Sequence, residues 1–281
     1  MKSASIFFLA TTLLAGTVHA GLERNIPYEK VGGRVLRLDA NVPDGMGPFP
    51  VVLAVHGGGW CVGDKSGKGD FAPILKLLTA HRFVWFSIDY RLAPTNRWPA
   101  CFDDVQAAIR WVKAHAAEYK GAPGRIALLG YSAGGHLVCL AATLATPATR
   151  VQAVVGLAPP TDLVTEMKRR GEIGRWSAMR NVLGRDALDA GTWKLLRQLS
   201  PIEHVKPGLP PFLLMQGDAD KTVPPPQTRN FAARLKADGV PCELYFIKGA
   251  GHNIANWAKL DPACQQELVG WLKEALSAKG R

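Results

Sequence analysis

Several large classes of protein are excluded by what this sequence lacks. Beyond its first twenty residues, no stretch approaches the ~18 consecutive apolar residues of a membrane-spanning helix. None of the five cysteines sits in a CxxC or CxxH pair, so zinc ligation has no support. No run of four basic residues occurs, and the longest is Lys168-Arg169-Arg170. The excess of 34 Lys+Arg over 23 Asp+Glu, a net charge of +11, therefore reads as a solvated basic surface and not as a stripe for nucleic acid. Gly63 to Lys68 is glycine-rich but lacks the spacing of a phosphate-cradling loop. Internal repeats, low-complexity tracts and a dividing linker are also missing. What remains is a 281-residue chain, 47% hydrophobic and 20% charged, which is the composition of one globular unit with a sizeable core.

The N-terminus stands apart. Met1-Lys2-Ser3 is a short positive start, Ile6 to Leu14 is apolar, and Val18-His19-Ala20 offers small residues at the positions that matter for cleavage. This is the pattern of a secretory signal, too short to span a bilayer, with no cysteine near the cleavage point to carry a lipid. The expectation is a signal peptide over 1–20 and a secreted or periplasmic catalytic domain over 21–281, without a stable membrane anchor. In an oxidising compartment the cysteines would pair. The expected bond is Cys61–Cys101, since both flank the strand ends that will carry the site. Cys242–Cys264 is a second possible pair, with Cys139 left over; five buried thiols are the alternative.

Short apolar runs then alternate with helical patterns. Ile26 to Val31 and Val35 to Leu38 flank Gly32-Gly33 as an opening hairpin. Val51–Val55, Phe83–Ile88, Ile126–Leu129, Ala153–Leu157, Phe212–Met215 and Leu244–Ile247 have the composition of buried strands. Helical patterns fall near 71–80, 102–117, 133–145, 226–237 and 262–277. Such alternation predicts an α/β fold, a mostly parallel central sheet covered by helices on both faces. Residues 160–204 lack a strand and exceed what a crossover needs. They read as a small helical lid over the pocket, or else as an excursion packed on the edge of the fold.

Ligands bind beyond the carboxyl ends of parallel strands, so the residues just past each strand matter most. After Ile126–Leu129 comes Gly130-Tyr131-Ser132-Ala133-Gly134-Gly135, a GxSxG match between a strand and a helix. A serine there is raised on a tight turn, with a helix N-terminus behind it to favour developing negative charge. After Val51–Val55 comes His56-Gly57-Gly58-Gly59-Trp60, whose consecutive glycines leave backbone N–H groups free to converge on an oxyanion. After Phe212–Met215 come Asp218 and Asp220, and after Leu244–Ile247 comes His252 on a Gly-rich loop. Serine, aspartate, histidine in that chain order is a nucleophile, an orienting acid and a base.

These stretches, with Tyr90-Arg91-Leu92-Ala93-Pro94 and Gly134-Gly135-His136, resemble the α/β-hydrolase superfamily, in its hormone-sensitive-lipase-like and bacterial acetyl/feruloyl esterase branch. The resemblance spans roughly 50–255. It implies Ser132 as nucleophile, His252 as general base, Asp220 (not Asp218) as acid, and the N–H groups of Gly58, Gly59 and Ala133 as the oxyanion hole. It implies a serine carboxylesterase needing neither metal nor organic cofactor, acting on a small-molecule or oligosaccharide ester of a short acyl or hydroxycinnamoyl acid. A peptidase or amidase on the same scaffold is the alternative, followed by a non-catalytic binding module. Gln216 stands where the family often has histidine, a change expected to be harmless. The large N-terminal cap of many lipase-like members has no room in 21–50.

The remaining candidates have plainer roles. Trp60, Tyr131 and Trp176 are candidate pocket residues, with Trp60 equally readable as core. Trp193 is a further aromatic, readable equally as a stacking surface for a ring or sugar and as ordinary packing. His56 is expected to brace the glycine loop, His136 to be a satisfied neighbour of the site, and Arg91 to pair with Asp103 or Asp104.

Overall fold

A computed structural model describes residues 20–277 of the chain. The expected signal segment lies outside the described residues except for Ala20. Eight strands form one sheet: β1 (Gly21–Val31), β2 (Arg34–Val42), β3 (Phe49–Val55), β4 (Val84–Ile88), β5 (Gly121–Tyr131), β6 (Ala153–Leu157), β7 (Phe212–Gly217) and β8 (Cys242–Ile247). Their order across the sheet is β1-β2-β4-β3-β5-β6-β7-β8. The hairpin turns at Gly32 and Gly33, both at positive φ, so that Val31 pairs with Arg34. β1–β2 and β2–β4 are antiparallel, and every later pairing is parallel.

The continuous apolar runs are explained by burial on both faces. In β3, Val51, Leu53 and Val55 enter one core layer while Val52 and Ala54 enter the other. The first layer is closed by α2 (Ala100–His115), α3 (Ala133–Thr143) and α7 (Pro226–Ala237), through residues such as Val105, Ile109, Leu137 and Phe231. The second is closed by α1 (Ala72–Ala80) and α9 (Ala263–Ala275), the latter preceded by the one-turn α8 (Trp257–Leu260), through Leu78, Trp257, Leu268 and Leu272. Each fully buried aliphatic side chain contributes about 1.5–3 kcal/mol against exposure, so the alternation itself specifies the layers.

The strandless region holds α4 (Leu163–Arg170), α5 (Ser177–Leu183) and α6 (Ala190–Gln198). Asp162 and Asp189 cap the first and last of these by accepting from the Thr165 and Thr192 amides at 2.9 and 2.7 Å. Leu163, Met167, Met179, Val182 and Leu196 seat the segment on the first core layer, and part of it reaches the cleft described below.

The cysteine pairing is corrected: all five are free thiols. Cys242 packs in the first core layer and Cys264 in the second, with the sheet between them. The Cys61 sulfur faces α5, 4.0 Å from the Ala178 carbonyl and 3.9 Å from Asn181 Nδ2. Cys101 is buried in the first turn of α2, where loss of solvent pushes its thiol up to about 12.

Candidate active site

The chemistry-bearing residues converge at the carboxyl ends of β3, β5, β7 and β8, in a cleft of about 420 Å³. Ser132 sits between β5 and α3 at φ 53°, ψ −119°, a conformation that L residues rarely adopt. Close backbone approach holds it there. A Cβ on Gly130 would overlap the Gly134 carbonyl, and one on Gly134 would overlap the Val55 carbonyl. The Ser132 amide is also tied to the Leu157 carbonyl at 2.9 Å. The two glycines are thus required by packing against neighbouring strand ends, and the serine side chain is lifted into the cleft.

His252 Nε2 lies 2.9 Å from Ser132 Oγ, and His252 Nδ1 lies 2.7 Å from Asp220 Oδ2. Asp220 is almost wholly buried. Burial alone would raise its carboxyl, but the hydrogen bond and charge of His252, with the amides of Val223 and Thr222, hold it below the usual carboxylate range. An ionised carboxylate only accepts, so His252 carries its proton on Nδ1. The ring's Nε2 is then the acceptor that Ser132 donates to.

Asp218, by contrast, is exposed and accepts from the Gly249 amide at 2.6 Å, joining the loops after β7 and β8. Gly58, Gly59 and Ala133 line the cleft beside Ser132. Gly58 and Gly59 take positive φ, and among the described residues their N–H groups have no protein acceptor. The Ala133 N–H opens α3 and is free by its position in the first turn.

Trp60, Tyr131 and Trp176 all reach the cleft, though in different ways. Trp60 is 3% exposed, and its indole Nε1 donates to His136 Nδ1 at 3.2 Å, so it belongs to both core and wall. His136 Nε2 donates to the Leu199 carbonyl at 2.7 Å. Burial lowers this ring to about 4, and it links the glycine loop, α3 and the end of α6 as a neutral brace. Tyr131 places its hydroxyl 3.0 Å from the His252 carbonyl. Trp176 is half-buried, with the Arg170 guanidinium 4.8 Å above its ring. Trp193 packs against the core and does not line the cleft.

His56 stacks on Tyr90 at 4.3 Å, and its Nδ1 lies 2.7 Å from the Gly57 carbonyl. Arg91 pairs with Asp104, not Asp103, through Nε at 2.9 Å and Nη2 at 2.7 Å. Among the described residues, no group of three or more His, Cys, Asp or Glu side chains is placed to hold a metal ion, and no helix is long and apolar enough to cross a membrane.

Sequence reasoning named Gln216 as a harmless change and missed its contact with the acid. This fully buried side chain donates from Nε2 to Asp220 Oδ2 at 2.8 Å, the oxygen that also faces His252. Thr228 Oγ1, on α7, donates to Gln216 Oε1 at 2.7 Å and so fixes which end of the amide meets the acid. Gln216→Leu removes a donor that holds Asp220 Oδ2 and leaves the Thr228 hydroxyl facing an apolar side chain. The expected outcome is a kcat per active site lower by a few-fold, the scale of one neutral hydrogen bond. A merely structural role would lower the amount of active protein and leave kcat per active site unchanged.

Comparison with known proteins gives the chain's family. Residues 38–235 match the BD-FAE family. The chain is 35% identical over 220 residues to the esterase LipC of Mycobacterium tuberculosis, covering 74% of this chain and 53% of LipC. It is 32% identical over 249 residues to the carboxylesterase NlhH of the same organism, covering 82% of this chain and 75% of NlhH. The chain thus spans about half the length of LipC and three quarters of NlhH. Among solved structures, the propionate-bound esterase Est2 of Thermogutta terrifontis superposes with a TM-score of 0.71 at 29% identity, covering 92% of this chain and 97% of that one. Fold, sequence and strand order agree: the chain belongs to the BD-FAE family, within the α/β-hydrolase superfamily.

Proposed function

We propose that this protein is a serine carboxylic ester hydrolase. The observation that carries the reading is the continuous chain Asp220–His252–Ser132, two short hydrogen bonds ending on a hydroxyl raised on a strained turn. Ser132 Oγ attacks the ester carbonyl carbon as its proton passes to His252 Nε2. Asp220 holds the Nδ1 proton and balances the imidazolium. The carbonyl oxygen, now negative, is received by the N–H groups of Gly58, Gly59 and Ala133. His252 returns the proton to the departing alkoxide, leaving an acyl-serine. Water then attacks that acyl group, with His252 again as base, and the acid departs. No step calls for a metal or an organic cofactor. The wall formed by Arg170, Arg175, Trp176, Ser177 and Ala178 acts as a small lid over the reacting bond.

The acyl group is short in this reading. The relative Est2 is described with propionate and with butyrate bound, and Trp60 and Pro160 line the cleft here beside Ser132. A hydroxycinnamoyl acyl group is the second reading, favoured by Trp176, the one half-buried indole on the wall. Export through the leader over 1–20 would bring the enzyme to esters on polysaccharide fragments outside the cytoplasm. The test is kcat/KM for acetyl, butyryl, decanoyl and feruloyl esters of one alcohol. Acetyl or butyryl is expected to lead. A maximum at decanoyl would overturn the short-acyl reading, and a maximum at feruloyl would establish the second.

A further inference from the structure

The lid wall of the cleft carries two arginines, and it is not neutral. Arg170, the last residue of α4, is fixed three ways. Its Nε donates to Glu166 Oε1 at 2.7 Å, its Nη1 donates to the Arg175 carbonyl at 3.1 Å, and its plane lies over Trp176. Arg175 donates through Nε to Glu172 at 2.9 Å, an exposed pair of little electrostatic strength. Arg170 Nη2 and both Nη groups of Arg175 have no protein acceptor among the described residues, and both residues line the cleft that holds Ser132 and His252. Glu166, 3% exposed, is shared with Arg169, so three guanidiniums face two carboxylates along this segment. The acidic side chain on the lining is Asp70, 3.4 Å from the Tyr131 hydroxyl and beside it. A neutral short ester offers these two guanidiniums no charge to pair with.

We propose that the preferred substrate is an ester carrying an anionic group, a carboxylate in the simplest case, which Arg170 and Arg175 bind while Ser132 attacks the ester carbonyl. This rests on the hydrolase reading above and deepens it by naming the class of ester. The chemistry is a planar guanidinium, braced by an indole and a buried glutamate, offering free N–H groups to a carboxylate. A carboxylate can enter from either side of the scissile bond: on the acyl group, as in a dicarboxylic half-ester, or on the alcohol, as in an acetylated uronic acid.

The experiment compares matched pairs at low ionic strength. Ethyl hydrogen succinate against ethyl 4-oxopentanoate probes the acyl side, and an O-acetyl glucuronate against the same O-acetyl glucose probes the alcohol side. In at least one pair the anionic ester is expected to lead by about tenfold in kcat/KM, the scale of one charge-assisted contact. That ratio should collapse toward one in Arg170→Met/Arg175→Met, in which Glu166 keeps Arg169 as its partner. A ratio at or below one in both pairs, or a ratio unchanged in the double variant, overturns the proposal and leaves the hydrolase reading standing. Calorimetry of ethyl hydrogen succinate and the O-acetyl glucuronate on the Ser132→Ala protein reads the subsite without turnover. Saturable binding that the arginine substitutions abolish, with no hydrolysis of any of the four esters by the native chain, would keep the anion subsite and overturn the hydrolase reading. Absence of such binding overturns the subsite.

Discussion

Ser132→Ala is expected to lower ester turnover by ~10⁴-fold or more while leaving the circular dichroism spectrum and unfolding midpoint near those of the native chain. The substitution removes one oxygen and no carbon from the turn. Alanine keeps the Cβ that Ser132 already carries at φ 53°, so the backbone strain is the same before and after. The Leu157 carbonyl still receives its amide, and the tight approach of Gly130 to Gly134 is untouched. What disappears is the group that forms the acyl-enzyme, together with the acceptor-donor contact to His252 Nε2 at 2.9 Å. The N–H groups of Gly58, Gly59 and Ala133 would remain to polarise a carbonyl for attack by water, and such sites retain a residual rate over solution. More than a few per cent of native kcat in a well-folded Ser132→Ala protein would remove Ser132 from the role of nucleophile.

Much of this site was legible in the sequence because its chemistry is local. Three glycines after β3, a GxSxG between β5 and α3, an aspartate after β7 and a histidine after β8 each sit within a few residues of a strand end. A parallel sheet brings all such ends to one edge. The strands were legible because burial on both faces leaves continuous apolar runs, as in Val51–Val55 and Ala153–Leu157. The exceptions have two causes, an edge strand without a side-chain pattern and side-chain directions set by distant parts of the chain. The start of β1, Gly21–Asn25, is mostly exposed edge strand with a register shift between Glu23 and Ile26, and it is held by backbone pairing that leaves no side-chain period to read. Gln216 looked harmless because its part in the site depends on Thr228, twelve residues away on α7, turning the amide toward Asp220. Arg170 and Arg175 belong to a segment whose helices were expected but whose rotation about their axes was not. The cysteine pairing failed on side-chain direction: Cys61 and Cys101 pack on the same core layer but the Cys61 sulfur turns toward α5, while Cys242 and Cys264 lie on opposite sides of the sheet.

Asp220→Asn is expected to cost about 10⁴-fold in kcat, as loss of the orienting acid does in triads of this kind, whereas Asp218→Asn should stay within a few-fold of native. The difference follows from the donors around each carboxylate. Asp220 is surrounded by four: the Thr222 and Val223 amides on Oδ1 at 2.8 and 3.0 Å, and Gln216 Nε2 and His252 Nδ1 on Oδ2 at 2.8 and 2.7 Å. Asparagine has one accepting oxygen and one amino group to set against them. If its oxygen keeps the two backbone amides, its amino group faces His252 Nδ1, and the imidazole must shift its proton to Nε2. That nitrogen then cannot accept from Ser132, and the base is lost. If the amide turns the other way, its amino group is pressed against two buried backbone N–H groups, which is costly at a site closed to water. Either orientation disables the triad, and the first explains a large fall in kcat with the fold intact. Asp218 accepts a single bond, from Gly249 N on the exposed side of the turn, and an asparagine carbonyl accepts it equally well. The measurement is kcat for one short-acyl ester with the two purified variants side by side. A larger loss in Asp218→Asn would reverse the assignment of the acid and, with it, the argument that four converging donors mark the carboxylate that holds His252.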